Sequence, residues 1–157
     1  MIPSPKCGIA GVLRYKGRGD IARLVMCEAG GEGQDGMRAV ATVVMNRVHV
    51  SGGEYLRTGQ GSLRNIIYQP GQFDCILTEL GGRTNMQNIY NMRPEPIHYE
   101  IADWALSGGI HTPVGVCLWY LNPFGPCRGE FPVRSGTFHT RVNNHCFYRP
   151  TPFYRQT

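Results

Sequence analysis

The sequence holds no hydrophobic run near the roughly 18 residues that a bilayer-spanning helix requires, so no membrane span is predicted. Charge is also scarce. Asp, Glu, Lys and Arg together make up 17% of residues against 41% apolar, a balance that excludes an intrinsically disordered chain. Lysine is nearly missing: Lys6 and Lys16 are the only two, so arginine carries the net charge of +5. The arginines are scattered rather than blocked, so no nucleic-acid partner is expected, and an even basic surface suits an anionic polymer. No C-x-x-C or H-x-x-x-H spacing occurs, which argues against zinc, and no metal ligands are assigned. Phosphate-cradling motifs are missing too, because Gly30-Gly31-Glu32-Gly33 has neither a strand before it nor a GK[ST] after it. The first twenty residues contain no apolar core long enough for a signal peptide. Either export takes another route or a leader has been removed.

Glycine, by contrast, is abundant. It occupies 21 of 157 positions, nearly twice the usual share of about 7%, which predicts short elements and many turns. The length suits one domain with a real core. Residues 1–19, with Pro3 and Pro5, read as an irregular lead-in, and 20–157 as the domain itself. A first helix is expected over 20–29, capped by Asp20 and stopped by Gly30 and Gly31. A second starts at Asp35 and runs to about Val50; Met37, Val40, Val44 and Val48 line one face, Ala39 and Val43 the other. A helix apolar on both sides is central and buried. Residues 51–61 read as a loop, 63–68 as a short helix capped by Ser62, and 84–91 as another short helix. Glu95-Pro96 opens a helix closed by Gly108-Gly109. Val114–Leu121 and Cys146–Tyr148 read as strands joined by a Gly/Pro-rich connection. The class is therefore α+β, helices first and a small β element last.

One residue breaks the pattern. Glu28 lies seven, four and three positions after Ile21, Leu24 and Val25, so a carboxylate falls on the apolar stripe of the first helix. Such a group must be paired, hydrogen-bonded or protonated, and the protonated state is what a general acid needs at neutral pH. The competing reading is a structural pair with an arginine such as Arg47. Glu32 reads as an exposed or loop-ordering carboxylate.

Other constellations are weaker. Tyr68-Gln69-Pro70-Gly71-Gln72-Phe73-Asp74 offers amides and aromatic surface around a tight turn, as sugar clefts need. In Leu118–Pro123, strand alternation puts Tyr120 and Asn122 on one side, toward a groove if Trp119 packs inward. Thr42 and Asn46 are the polar exceptions on the second side of the buried helix. The five histidines are dispersed. Cys27 reads as a buried free thiol, while Cys117, Cys127 and Cys146 could supply a disulfide whose pairing is not readable.

Taken together, ARLVMCEAGGEGQDGMRAVATVVMNRV (22–48), IIYQPGQF (66–73), LWYLNP (118–123) and NNHCFYRPT (143–151) resemble the catalytic domain of spore cortex-lytic enzymes and related cell wall hydrolases of the SleB and CwlJ type. The four blocks run in order from about residue 20 to 152. The resemblance implies a lysozyme-like fold, a helical core with a small β-sheet, acting on peptidoglycan glycan strands. It implies that Glu28, the first Glu of the E-A-x-G-E block, is the catalytic acid. It further implies a lytic transglycosylase that cuts after N-acetylmuramic acid during germination and leaves a 1,6-anhydro end. Gln69, Gln72, Phe73, Tyr120, Asn122, Thr42 and Asn46 are the candidate substrate-binding residues. SleB-type members carry an export signal and a wall-binding repeat, and CwlJ-type members lack both and are laid down in the spore coat with a partner protein. The arrangement here is more like the latter, although YQPGQF reads more like SleB. The resemblance thus places the chain in the spore coat, cortex or cell wall. CwlJ-type activity is associated with calcium, but no clustered Asp/Glu loop identifies ligands for it.

Two other classes compete. A non-catalytic wall- or spore-binding module would pellet with sacculi without clearing them. A cysteine-dependent amidase or peptidase would be silenced by thiol alkylation. Within the leading class, a water-using muramidase needs a second carboxylate, for which Asp74 and Glu32 are the candidates.

Overall fold

The longest helix forms straight through a glycine-rich stretch. In this computed structural model, the backbone is described from residue 9 to 157 and the side chains from residue 17. Helix α1 spans Ile9–Ala29, so it begins well before Asp20, inside the region expected to be an irregular lead-in; residues 1–8 of that region lie outside the described residues. Tertiary packing overrides the weak local propensity here. A Cβ on Gly17 would sit 2.9 Å from Leu63 Cδ2 and 3.5 Å from Leu106, so the glycine allows α1 to close on two neighbouring helices. Asp20 is consequently mid-helix rather than a cap. It is only 8% exposed, and its carboxylate accepts from Arg23 at 3.0 Å and from the Tyr68 hydroxyl at 3.2 Å.

Gly30 N–H closes α1 onto Met26 O, and after a three-residue turn α2 runs Gly33–His49 with Glu32 at its N-cap. As expected, α2 is buried on both sides. Val40 and Val44 join the main core with Ile21, Leu24 and Val25, whereas Ala39 and Val43 pack with Val114, Cys117 and Phe147 in a smaller one. The expected loop 51–61 contains helix α3, Glu54–Gly59, whose Tyr55 is buried against Trp119 and Tyr154. That burial, not local pattern, orders it. Ser62 caps α4 (Leu63–Ile67) by accepting from Asn65 N–H.

The expected helix at 84–91 does not form. A two-stranded hairpin, β1 (Glu79–Leu80) and β2 (Arg83–Thr84), turns at Gly81-Gly82, and only a 3-10 turn follows at Ile89–Asn91. Helix α5 spans Pro96–Leu106, with Glu95 N–H donating to the His98 ring at its start. Beyond it, 112–116 is a turn and 117–118 is irregular, so β3 is only Trp119–Leu121. The Gly/Pro-rich connection hides a further strand, β4 (Gly136–Val142), which pairs with β5 (His145–Pro150) across the Asn143-Asn144 turn. The sheet order is β3-β5-β4, all antiparallel, with Trp119 opposite Tyr148 and Leu121 opposite Cys146. Cys127 and Cys146 form a disulfide that fastens the loop after β3 to β5. Helices α1, α2 and α5 pack together beside this sheet, and the C-terminal end of α1 faces β3 and β5. Among the described residues, no helix is long and apolar enough to cross a membrane.

Candidate active site

Glu28 is the penultimate residue of α1, half-buried, on the turn that faces β3. The Tyr120 hydroxyl donates to its Oε1 at 3.1 Å. Burial pushes the Glu28 carboxyl above the usual range; the Tyr120 bond opposes this, Asp74 adds to it by like-charge repulsion, and Arg47 offsets part. Its place at a helix C-terminus, where backbone carbonyls converge, disfavours the anion further. The result is a carboxyl biased toward its protonated form at the edge of a cavity, as a general acid requires. Burial and the Glu28 charge likewise push the Tyr120 hydroxyl well up, so it remains a donor. Replacing Tyr120 by Phe removes a bond that favours the anion, so Glu28 is expected to titrate higher than in the wild type. NMR titration of a carboxyl-labelled sample reads this directly; a downward shift refutes the assigned hydrogen bond.

No ion pair joins Glu28 to Arg47 among the described residues. Arg47 instead donates to Leu118 O at 2.7 Å and to Gln72 Oε1 at 3.4 Å, with its guanidinium over the Tyr55 and Phe73 rings. The structural-pair reading of Glu28 is therefore corrected: Arg47 is spent on the backbone entering β3.

Two cavities meet at Glu28. One, of about 590 Å³, is lined by Cys27, Gln87, Met92, Glu95 and His98; the other, of about 660 Å³, by Arg47, Tyr55, Gln72, Phe73, Asp74, Trp119, Tyr120 and Phe124. Glu28, Asn122 and His145 line both. The second cavity is the aromatic one. Its lip carries Phe124, 92% exposed with φ of +53° and its N–H on Asn122 Oδ1. An exposed aromatic held in the left-handed region is unusual, and it gives a polymer a stacking face. Sequence reasoning missed Phe124; its place directly after Asn122-Pro123 was the available signal.

Glu32 is loop-ordering but not exposed, since its side chain is 11% accessible. It receives Asn144 N–H at 3.0 Å, Asn144 Nδ2 at 2.9 Å and the His145 ring at 2.9 Å. Burial raises it, but the Asn144 backbone and His145 bonds outweigh that and hold it below the ordinary carboxylate range. Glu32 therefore ties the α1–α2 turn to the β4–β5 turn and is spent there.

Gln72, Phe73, Tyr120 and Asn122, four of the sequence-predicted binding residues, line the cavities with Glu28. The other three do not. Gln69 accepts from Thr58 Oγ1 and donates to Glu54, locking its turn to α3. Thr42 Oγ1 donates to Arg38 O and accepts His111 N–H, and Asn46 Nδ2 donates to the carbonyls of Gly115 and Cys117. A helix buried on both sides must satisfy whatever backbone lies against it, and the 110–118 segment uses up both residues. Among the described residues, no group of three or more His, Cys, Asp or Glu stands together to hold a metal ion. No ligand set for the calcium that the resemblance implies stands out among the described residues.

Comparison with known proteins bears on the family and the fold. The family model described as Cell Wall Hydrolase matches residues 31–148, a span that starts three residues after Glu28 and contains Tyr120, Asn122 and His145. Cell wall hydrolase CwlJ of Bacillus subtilis (strain 168) is 30% identical over 131 residues, covering 83% of each chain. CwlJ of Oceanobacillus iheyensis is 29% identical over 135 residues, covering 83% of this chain and 84% of that one. Among solved structures, the catalytic domain of the Bacillus cereus SleB protein superposes with a TM-score of 0.64 at 22% identity, covering 86% of this chain and 91% of that one. The catalytic domain of the germination-specific lytic transglycosylase SleB from Bacillus anthracis gives 0.58 at 20%, covering 94% and 100%. The fold is thus the α+β, lysozyme-like one of these domains, and the chain belongs to the cell wall hydrolase family.

Proposed function

We propose that this enzyme cleaves the glycan strands of peptidoglycan, acting on spore cortex during germination as a lytic transglycosylase. The observation that carries the reading is Glu28: a carboxyl raised by burial, hydrogen-bonded by Tyr120, at the junction of two cavities. A strand laid through both would place sugars on either side of the acid. Glu28 gives its proton to the glycosidic oxygen as the bond to C1 of N-acetylmuramic acid breaks. The carboxylate so formed then takes the proton of the muramic C6 hydroxyl, whose oxygen closes on C1 to give the 1,6-anhydro end. One carboxyl serves both steps, which fits Glu32 being spent on Asn144 and His145. Gln72, Asn122 and the exposed ring of Phe124 supply amide and stacking contacts to sugars. The site of action in this reading is the spore coat and cortex, with a coat protein as partner.

A second reading, a water-using muramidase, is favoured by Asp74, which lines the aromatic cavity and raises Glu28 by its charge. Digestion of purified cortex followed by mass spectrometry of the products decides between them. Anhydro-muramic ends are expected; reducing ends alone would establish hydrolysis, and intact glycan would leave a wall-binding module.

A further inference from the structure

The smaller cavity contains a donor that the proposed mechanism leaves idle. His98, in the first turn of α5, is only 5% exposed and lines this cavity together with Glu28. Its Nδ1 lies 2.9 Å from the Glu95 backbone nitrogen. A backbone N–H can only donate, so Nδ1 is the acceptor and the ring proton sits on Nε2. Nε2 has no hydrogen-bond partner among the described residues, yet none of their buried polar side-chain atoms is left unpaired. The Nε2–H is therefore open, and the space that His98 borders is the cavity. We infer that His98 is a specificity-determining residue, whose Nε2–H reads the carbonyl of a sugar acetamido group held in the smaller cavity.

The rest of the lining selects that group. Met26 and Met92 are half-buried on the same cavity and give a methyl an apolar seat. Cys27, expected to be a buried thiol, is half-exposed here, and its own proton is committed to Gln87 O at 2.8 Å. The three carboxyl groups on the cavity, Glu28, Glu32 and Glu95, disfavour an anion, which excludes the free carboxylate of a stem peptide. A ring hydroxyl would supply the acceptor without the methyl. A sugar ammonium would present donors only, leaving the Nε2–H with no acceptor. An acetamido group offers a neutral carbonyl oxygen beside a methyl, and so matches both features. This deepens the function proposed above and rests on it. N-acetylated glycan is preferred to a de-N-acetylated strand, on which the Nε2–H would lose water and gain no partner.

The first arm of the test needs no catalysis. Long-range proton–nitrogen NMR of the wild-type protein reads which ring nitrogen of His98 carries the proton. The Nε2–H form is expected. Its signals should move when tetra-N-acetylchitotetraose is added and stay put with chitotetraose, the de-N-acetylated oligomer. A proton on Nδ1, equal shifts with the two oligomers, or no shift with either overturns the inference.

Two variants then separate binding from packing. An Asn amide oxygen can stand where Nδ1 stands but leaves no donor at Nε2; a Gln amide nitrogen does the reverse. His98→Asn should therefore keep its melting temperature and raise KM for cortex glycan about 3–10-fold at unchanged kcat, through loss of one neutral hydrogen bond. His98→Gln should keep KM within about twofold and melt earlier, because the Glu95 N–H loses its acceptor. A KM that follows stability in both variants, or that moves in neither, reduces His98 to a packing residue. His98 signals that respond to the acetylated oligomer in a protein that never cleaves cortex would count against the function and leave the subsite standing. Cleaved cortex with unmoved His98 signals would do the opposite.

Discussion

Replacing Glu28 with Gln is expected to lower glycan cleavage by at least about 10³-fold, because a single acid/base contributes roughly 10²–10⁴ and in the proposed mechanism serves both proton transfers. The amide keeps the volume and can still accept from Tyr120, so the fold should persist. Its stability carries a second signature. The Glu28 carboxyl is raised in the folded protein, chiefly by burial. Stability from its protonated form is fully present below the unfolded carboxylate pKa and is lost as pH rises through the raised folded value. The Gln variant does not titrate. Its melting temperature should therefore gain on wild type as pH climbs from acid toward neutral and beyond. Muropeptide release and thermal denaturation at pH 5 and pH 8 read both effects. Activity within tenfold of wild type, or a gap that narrows with pH, would refute the role.

Removing the Cys127–Cys146 disulfide by a double change to Ala is expected to cost about 3 kcal/mol, from the entropy of the open loop, for a bridge across 19 residues. At this chain length that corresponds to a fall in melting temperature of roughly 6–12 °C. Function should suffer differently from stability. The bridge, with Arg141 donating to Gly125 O at 2.7 Å, holds the loop that presents Phe124 and Phe131 to the aromatic cavity. Loosening it should raise KM more than it lowers kcat, since Glu28 and Tyr120 lie on other elements. A loss confined to kcat would show that the loop shapes the acid rather than the binding face.

Much of the site's centre was legible because it rests on local periodicity. The stripe of α1 marks Glu28, strand alternation sends Tyr120 and Asn122 to one side, and the two-sided burial of α2 follows from Ala39 and Val43. The rest depends on partners remote in sequence. Thr42 and Asn46 look like spare polar groups until the turn at 111–117 is laid over them. Gln69 looks like a ligand until α3, itself ordered by Tyr154 and Trp119, takes up its amide. Helix α1 extends back to Ile9 through Gly17, which packs against Leu63 and Leu106, neighbours remote in sequence. Strand β4 stays hidden among glycines and prolines because pairing with β5, not its own composition, makes it a strand.

The distance between Glu28 and its neighbours has a consequence for the order in which the protein comes into being. The hydrogen bond to Tyr120 joins residues 92 apart, and the one from His145 to Glu32 joins residues 113 apart. Translation makes the acid early and its setting last. Until β5 is synthesised, a nascent chain carries Glu28 on a helix without the wall that dries it, the hydroxyl that orients it or the second cavity. Completion of the final hairpin is thus the event that finishes the surroundings of Glu28, and a chain that stops short of it lacks the His145 wall of both cavities.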